Sequence, residues 1–199
     1  MSAEKPAPRF AITPPHDAAE IRRALTRVHA EGHAFALVIP VTPFFAPQGE
    51  GWSPAIHLRH LTRSTRPVAQ ALGIPRWVLR LRFGRATSPS RRWEPLVSDY
   101  RAALAAGGRA APRFVPTDAP SSSAPEARRT EILRSWHDSV RTLDLRLSRW
   151  PEDALDAVRV PHPLLGLLTM REMLLFTVYH TAHHLRLIDT RMSASSHAS

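Results

Sequence analysis

Residues 169–184 read TMREMLLFTVYHTAHH, and this stretch decides the fold class. It opens with a capping-box pattern, in which Thr169 and Glu172 satisfy two free backbone donors at the start of a helix. The residues that follow are apolar on nearly every side, which predicts a long helix buried among other helices. Near its end, His180 and His184 are four residues apart and therefore share one face of that helix.

The composition fits one domain of a globular protein. The chain has 199 residues, of which 43% are hydrophobic, so it can bury a substantial core. It has no cysteine, which excludes disulfides, thiolate metal ligands and a cysteine nucleophile. Its two most apolar runs, 34–46 and 164–179, are shorter or more interrupted than the roughly 18 apolar residues of a membrane span. The first residues lack the apolar core of a signal peptide. We therefore expect a soluble, cytoplasmic protein without a membrane partner.

The net charge of +10 raises nucleic acid as a partner. Nearly all basic residues are arginines, and they are scattered along the chain except at 76–92 and 128–129. No nucleic-acid motif or interleaved aromatic patch accompanies them. The pattern favours an ordinary basic surface, and a nucleic-acid-binding helical module is the less favoured alternative.

Apolar spacings of three and four predict four main helices, while no segment has the alternation of a strand. The helices are expected between the prolines at 15 and 40, and over 53–72, 124–150 and 169–191. Asp17 and Ser53 are the expected N-caps of the first two, and Pro67 is expected to kink the second or to mark a site of tight packing.

These elements predict an all-α fold, a four-helix bundle with up-down-down-up topology. Residues 73–124 would form the long crossover between helices 2 and 3, with a helical piece at 94–106 and a flexible linker over 107–124. The expected organisation is a disordered N-terminal arm (1–15), the bundle (16–192) and a disordered tail (193–199).

Histidines on facing helices can meet in the core of such a bundle, where metal sites are commonly built. His60, midway along the second helix, can approach His180 and His184, and three neutral nitrogens leave an open coordination position for water or substrate. The alternative is that these are core histidines bonded to backbone carbonyls, which is the favoured interpretation of His60 alone. A second pair, His29 and His33, is expected to line the pocket mouth or face solvent rather than bind metal.

Two stretches resemble the DinB-like (DNA-damage-inducible) four-helix-bundle superfamily. WSPAIHLRHL at 52–61 is similar to the start of its second helix, and residues 162–172 with HTAHH at 180–184 are similar to the start and signature of its fourth. The resemblance covers roughly residues 17–190 and is loose in the middle connection. It implies a ligand set of one histidine eight residues after the tryptophan and the two histidines of H-x-x-x-H, which here are His60, His180 and His184.

The resemblance implies a divalent transition metal, with zinc or nickel most often associated with the family, although an all-imidazole site also suits iron or copper. Characterised members include thiol-dependent S-transferases and isomerases that use bacillithiol, mycothiol or glutathione. A metal-bound low-molecular-weight thiol would lose its proton and attack an electrophilic small molecule. A non-catalytic, stress-associated metal-binding bundle is the alternative, and a homodimer is the one assembly that the resemblance suggests.

Other histidines and tryptophans have less defined roles. His57 lies where many relatives have an acid, and His183 directly precedes the last expected ligand, so both are expected to line or support the site. His162, between two prolines, is predicted to be a turn residue that positions the start of the fourth helix. Trp52 is expected to pack at the start of the second helix, and Trp136 to lie on the core stripe of the third.

Overall fold

The computed structural model describes residues 9–47, 51–117 and 124–196. Its helices are α1 (Ala18–Leu37), α2 (Val41–Phe45), α3 (Pro54–Leu72), α4 (Arg76–Phe83), α5 (Trp93–Ala105), α6 (Pro125–Leu147), α7 (Glu152–Ala157) and α8 (Met170–Ser196). A 3-10 turn covers Pro112–Phe114, and two short strands are β1 (Arg159–His162) and β2 (Gly166–Thr169). The predicted all-α class is confirmed, with α1, α3, α6 and α8 as the four main helices.

The starts of three main helices follow from local capping. The Asp17 carboxylate accepts a hydrogen bond from the backbone N–H three residues on, at 2.7 Å. The Ser53 hydroxyl does the same for α3 at 3.3 Å. At α8 the capping box forms as predicted, because the Thr169 N–H donates to the Glu172 carboxylate (2.9 Å) and the Glu172 N–H donates to the Thr169 hydroxyl (3.1 Å).

Contacts between helix ends establish the topology. Arg22 at the start of α1 pairs with Asp144 near the end of α6 at 2.7 Å, so these helices are antiparallel. The Trp150 indole, just beyond α6, donates to the carbonyl of Leu72 at the end of α3 at 2.8 Å, so α3 and α6 are parallel. Helix α8 packs on α1 and α3. It runs parallel to α1, since Arg171 near its start donates to a carbonyl just before α1. The order is therefore up-down-down-up.

Two parallel helices that follow each other require a crossover, and residues 73–124 supply it. Helices α4 and α5 lie within it, and α5 packs on α8. The prediction of a flexible linker over 107–124 does not hold for its described part, because Arg63 and Arg59 of α3 donate to the carbonyls of Val115 and Thr117 at 2.8 and 2.7 Å. Residues 118–123 lie outside the described residues.

The prediction of no strand is wrong for the segment before α8. Strands β1 and β2 pair antiparallel as a hairpin. Each has four residues, too few for a clear alternation, and the prolines within and after β1 also argue against a strand. The Nδ1 atom of His162 accepts hydrogen bonds from the N–H groups of Leu164 and Leu165 at 3.2 and 3.1 Å, and Gly166 completes the turn with a φ of 72°. His162 is thus the turn residue that the sequence predicts.

The ends of the bundle differ from expectation in detail. Phe10, within the predicted arm, is 2% exposed and packs edge-on against Phe35. Helix α8 continues to Ser196, past the predicted start of the tail. Residues 1–8 and 197–199 lie outside the described part, so the predictions for them stay predictions.

Trp136 is fully buried, as predicted. In the described residues, no helix has the length and apolar character needed to cross a membrane.

Candidate metal centre

Three histidines from α3 and α8 converge in the core. His60, His180 and His184 are 3%, 6% and 7% exposed. The Nε2 atom of His180 lies 3.2 Å from Nε2 of His60 and 3.0 Å from Nε2 of His184. One ligand atom from each ring lies within 4.8 Å of the other two. The structure therefore brings together all three residues that the sequence singled out.

The hydrogen bond of His60 fixes which of its nitrogens faces the cluster with a lone pair. Its Nδ1 atom lies 2.8 Å from the carbonyl oxygen of Phe114. A carbonyl only accepts, so Nδ1 carries the hydrogen and Nε2 of the neutral ring is an acceptor. The backbone of the crossover thus presents His60 Nε2 to the other two rings, in the way that metal-ligating histidines are usually held through their second nitrogen.

Hydrogen bonds among the three rings cannot satisfy all of the Nε2 atoms that face one another. A hydrogen on one Nε2 atom points well at only one neighbour, so at least one of the two short contacts around His180 is poorly satisfied. A metal ion at the common point would accept all three lone pairs. Imidazole nitrogens bind zinc at about 2.0–2.1 Å, which at tetrahedral angles separates two such nitrogens by roughly 3.3 Å. The observed separations are close to that value, so these residues fit a divalent ion.

The electrostatics keep the rings uncharged. Burial lowers the pKa of His180 and of His184 well below the ordinary value, and neighbouring histidines lower each further. Burial also lowers the pKa of His60, and this outweighs the opposing effect of the Phe114 carbonyl. At neutral pH the rings are therefore unprotonated, the state in which imidazole is a metal ligand.

His57 and Trp52 support the last of the three rings. The Nδ1 atom of His57 lies 2.8 Å from Nδ1 of His184, and His57 is 3% exposed. The half-buried Trp52 ring is nearly parallel to the His184 ring, with their centres 6.0 Å apart. Trp52 also lies against His60, at 5.0 Å between ring centres. The tryptophan therefore covers the centre from a position beside the start of α3, where the sequence predicts that it packs.

A cavity of about 550 Å³ opens beside the cluster and has the histidines in its wall. Its size lies in the range of small-molecule pockets. Much of its wall is apolar, formed by Val68, Leu104, Phe114, Leu164, Met173 and Phe176. The chemistry of the centre is thus placed where an organic molecule can reach it.

Polar groups line the same cavity. Arg109 and Arg191 contribute positive charge, and Tyr100 and His183 contribute a phenol and an imidazole. Burial raises the pKa of Tyr100 to about 12, so it remains a hydrogen-bond donor at neutral pH. Burial, followed by the nearby arginines Arg186 and Arg101, lowers the pKa of His183, so this ring is a neutral base.

Several of these residues escaped the sequence analysis. Tyr100 lies on α5 within the crossover, and its helical pattern gave no sign of what it would face. The Phe114 carbonyl is a backbone group without any signal in residue type. His29 was expected at the pocket mouth or in solvent, but it is 8% exposed and packs against Trp136 at 4.6 Å between ring centres. Neither it nor His33 lines the cavity.

Comparison with known proteins finds a family match over the part of the chain that contains the candidate metal centre. A family model described as the DinB superfamily matches residues 42–188, which include α3, the crossover and the centre on α8. No curated protein and no solved structure gives a significant match.

Proposed function

The chain belongs to the DinB superfamily, since the family model covers more than half of it, and from this we propose that it is a metal-dependent transferase that activates a low-molecular-weight thiol for attack on an electrophilic small molecule. The observation that carries the proposal is the convergence of three neutral imidazole nitrogens at the wall of a cavity of about 550 Å³. Three protein nitrogens leave coordination positions open, the arrangement typical of a catalytic rather than a structural site.

The Nε2 atoms of His60, His180 and His184 would hold the ion, with zinc or nickel as the expected metal. When bound, it supplies Lewis acidity that lowers the pKa of a coordinated thiol. The chain has no cysteine, so the thiol must come from a second molecule.

The remaining groups of the cavity bind and orient the reactants. Arg109 and Arg191 would attract an anionic thiol compound, and the apolar wall would hold the body of the electrophile. His183, neutral and in the same wall, is the candidate acceptor for the thiol proton, and Tyr100 can donate a hydrogen bond to charge that develops on the electrophile. Trp52 limits access of water to the ring of His184.

The test is thiol consumption with a generic aryl halide electrophile, using protein prepared without an affinity tag. Glutathione, bacillithiol and mycothiol are each offered with zinc-loaded, nickel-loaded and metal-free protein. We expect metal-dependent thioether formation with at least one thiol, lost in His184→Ala and retained in His16→Ala, which changes an exposed histidine outside the centre.

Two other outcomes would each contradict the proposal and support one of its alternatives. Metal bound by the three histidines without thiol consumption would indicate the non-catalytic metal-binding bundle. Binding to an arbitrary DNA duplex that survives His184→Ala and falls steeply with salt, with no metal retained, would indicate the nucleic-acid-binding module.

A further inference from the structure

A second histidine cluster lies between α1 and α6. His29 and His33 are one turn apart on α1, and His137 projects from α6. The ring centres are 5.8 Å apart for His29 and His33, 5.2 Å for His29 and His137, and 6.1 Å for His33 and His137. None of the three lines the cavity beside the candidate metal centre. The cluster is therefore a separate group of potential ligands.

We propose that His29, His33 and His137 form a second binding site for a divalent transition ion such as Zn²⁺, Ni²⁺ or Cu²⁺. Two histidines at positions i and i+4 share a helix face, and a third from the adjacent helix completes a set of three nitrogens. Imidazole is a preferred ligand of these ions. His137 is exposed and His33 half-buried, so an ion can reach the cluster from solvent.

The rings of the second cluster must rotate before their nitrogens can share an ion, because among the described residues only the first centre has its ligand atoms within 4.8 Å of one another. An imidazole nitrogen about 2.0–2.1 Å from an ion places its ring centre roughly 3 Å from that ion, so two rings that share it lie up to about 6 Å apart. In the candidate metal centre the corresponding ring centres are 4.5–5.0 Å apart. The second cluster is looser. Its nitrogens can close on an ion through side-chain rotation of His33 and His137, which have room at the surface.

One nitrogen of the cluster has a particular need for a partner. The Nε2 atom of His29 is buried and has no hydrogen-bond partner among the described residues. A buried polar atom left unsatisfied costs about 1–3 kcal/mol. A coordinated ion would satisfy this nitrogen.

The protonation state of the cluster supports metal binding. Burial lowers the pKa of His29 to about 4, and the neighbouring His137 and His33 lower it further. Burial and then His137 also lower the pKa of His33. Both rings are therefore neutral at pH 7 and do not have to release a proton before they bind an ion.

The experiment is a calorimetric titration of tag-free, metal-depleted protein with zinc. Metal analysis after desalting then measures how much zinc each protein retains. Four proteins are compared: the natural chain, His33→Ala/His137→Ala, His60→Ala/His184→Ala, and the control His16→Ala. We expect two binding steps in the natural chain and in the control. Each double variant should lose a different step and keep the other. The second site is expected to be the weaker one, because it is looser and partly exposed.

Cu²⁺ quenching of tryptophan fluorescence locates the second ion, since Trp136 packs on His29 at 4.6 Å. In His60→Ala/His184→Ala, quenching should saturate, and it should disappear when His33 and His137 are also changed.

A single zinc step that is unchanged by His33→Ala/His137→Ala would overturn the second site while leaving the first intact. Absence of the first step from the natural chain, with the second step present, would count against the proposed function and not against this inference. If the His60→Ala/His184→Ala variant does not fold, the comparison of the natural chain with His33→Ala/His137→Ala still decides.

Discussion

His57 and His184 meet through their Nδ1 atoms at 2.8 Å in the core between α3 and α8. If His184 offers Nε2 to an ion, its Nδ1 carries the hydrogen and donates it to His57 Nδ1. The acceptor is then a neutral imidazole instead of the carboxylate often found behind a metal-bound histidine. With an ion bound, the buried centre would keep the full charge of a divalent ion, which would favour an anionic ligand such as a thiolate at the open position.

This contact predicts how the centre responds to changes at His57. His57→Ala removes the acceptor that orients His184, so we expect zinc affinity to fall by about 10- to 100-fold. His57→Asp replaces it with a carboxylate and should retain or strengthen binding. Competition with a chromophoric chelator measures both, with His16→Ala as the control. Equal zinc affinity in the natural chain and in His57→Ala would show that His57 does not position His184.

Acid should destabilise the metal-free protein partly through His162. Burial, and secondly the charge of Arg91, lowers the pKa of His162 to about 4, from the ordinary 6.5. Between these values the unfolded chain binds a proton that the folded chain does not. The free energy of unfolding should therefore fall as the pH drops from about 6.5 to about 4, by up to about 1.4 kcal/mol per pH unit for this group.

The matched variant is His162→Asn, whose side-chain oxygen can still accept from the two backbone N–H groups of the turn. Urea unfolding at several pH values should show a shallower loss in this variant than in the natural chain. The lowered pKa values of Asp156 and Glu172 act at lower pH, because their stabilising effect is lost only as those carboxylates become protonated. Identical pH slopes for both proteins between pH 6.5 and 4.5 would contradict the prediction.

Glu172 should be more sensitive to substitution than Asp99, the other carboxylate that pairs with Arg91. Its side chain is 6% exposed and accepts from the Nε (2.8 Å) and backbone N–H (2.9 Å) of Arg91, in addition to the capping bond from Thr169. Glu172→Ala leaves these donors unsatisfied and should lower the free energy of unfolding by about 3 kcal/mol. Asp99 is the other partner of Arg91, and its side chain is 49% exposed. Asp99→Ala should therefore lower the free energy of unfolding by less than about 1 kcal/mol. Urea unfolding of the two variants decides, and similar losses would count against the buried pair.

Some of this architecture was predictable because it depends on local patterns. The starts of α1, α3 and α8 follow from caps that involve residues three positions apart. The histidines on α8 share a face through helical periodicity alone, and His60 follows Trp52 at the spacing of the family motif. These features require no knowledge of how distant segments pack.

The features that escaped prediction depend on long-range packing. His137 joins His29 and His33 only because α6 lies beside α1, and its own sequence neighbourhood gives no sign of a cluster. The β1–β2 hairpin is too short to show a periodicity. Tyr100 reaches the site because the crossover folds back along the bundle. The histidine cluster and the position of Tyr100 each depend on contacts between residues more than 60 positions apart in the chain.

Gly32 marks a close approach of α1 to the core. A Cβ atom there would lie 2.5 Å from Leu185 Cδ1 and 2.9 Å from a ring carbon of Trp136. Alanine would gain up to about 1 kcal/mol in helix propensity, but overpacking costs about 1–3 kcal/mol, and the fully buried Trp136 has little room to move. We expect Gly32→Ala to lower the Tm, and Gly32→Ala/Leu185→Val to recover part of the loss. A higher Tm for Gly32→Ala would show that Leu185 moves aside at little cost.

Metal binding at the candidate centre should raise the free energy of unfolding. An ion that binds only the folded chain adds about 2.7 kcal/mol when its free concentration is 100 times its Kd. In the His33→Ala/His137→Ala background, where the second cluster is removed, zinc should raise the urea midpoint and a chelator should reverse the change. Addition of His180→Ala should abolish the response, because it removes the nitrogen that lies within 3.2 Å of both other Nε2 atoms. The same rise in midpoint with and without His180 would place the stabilising ion outside this centre.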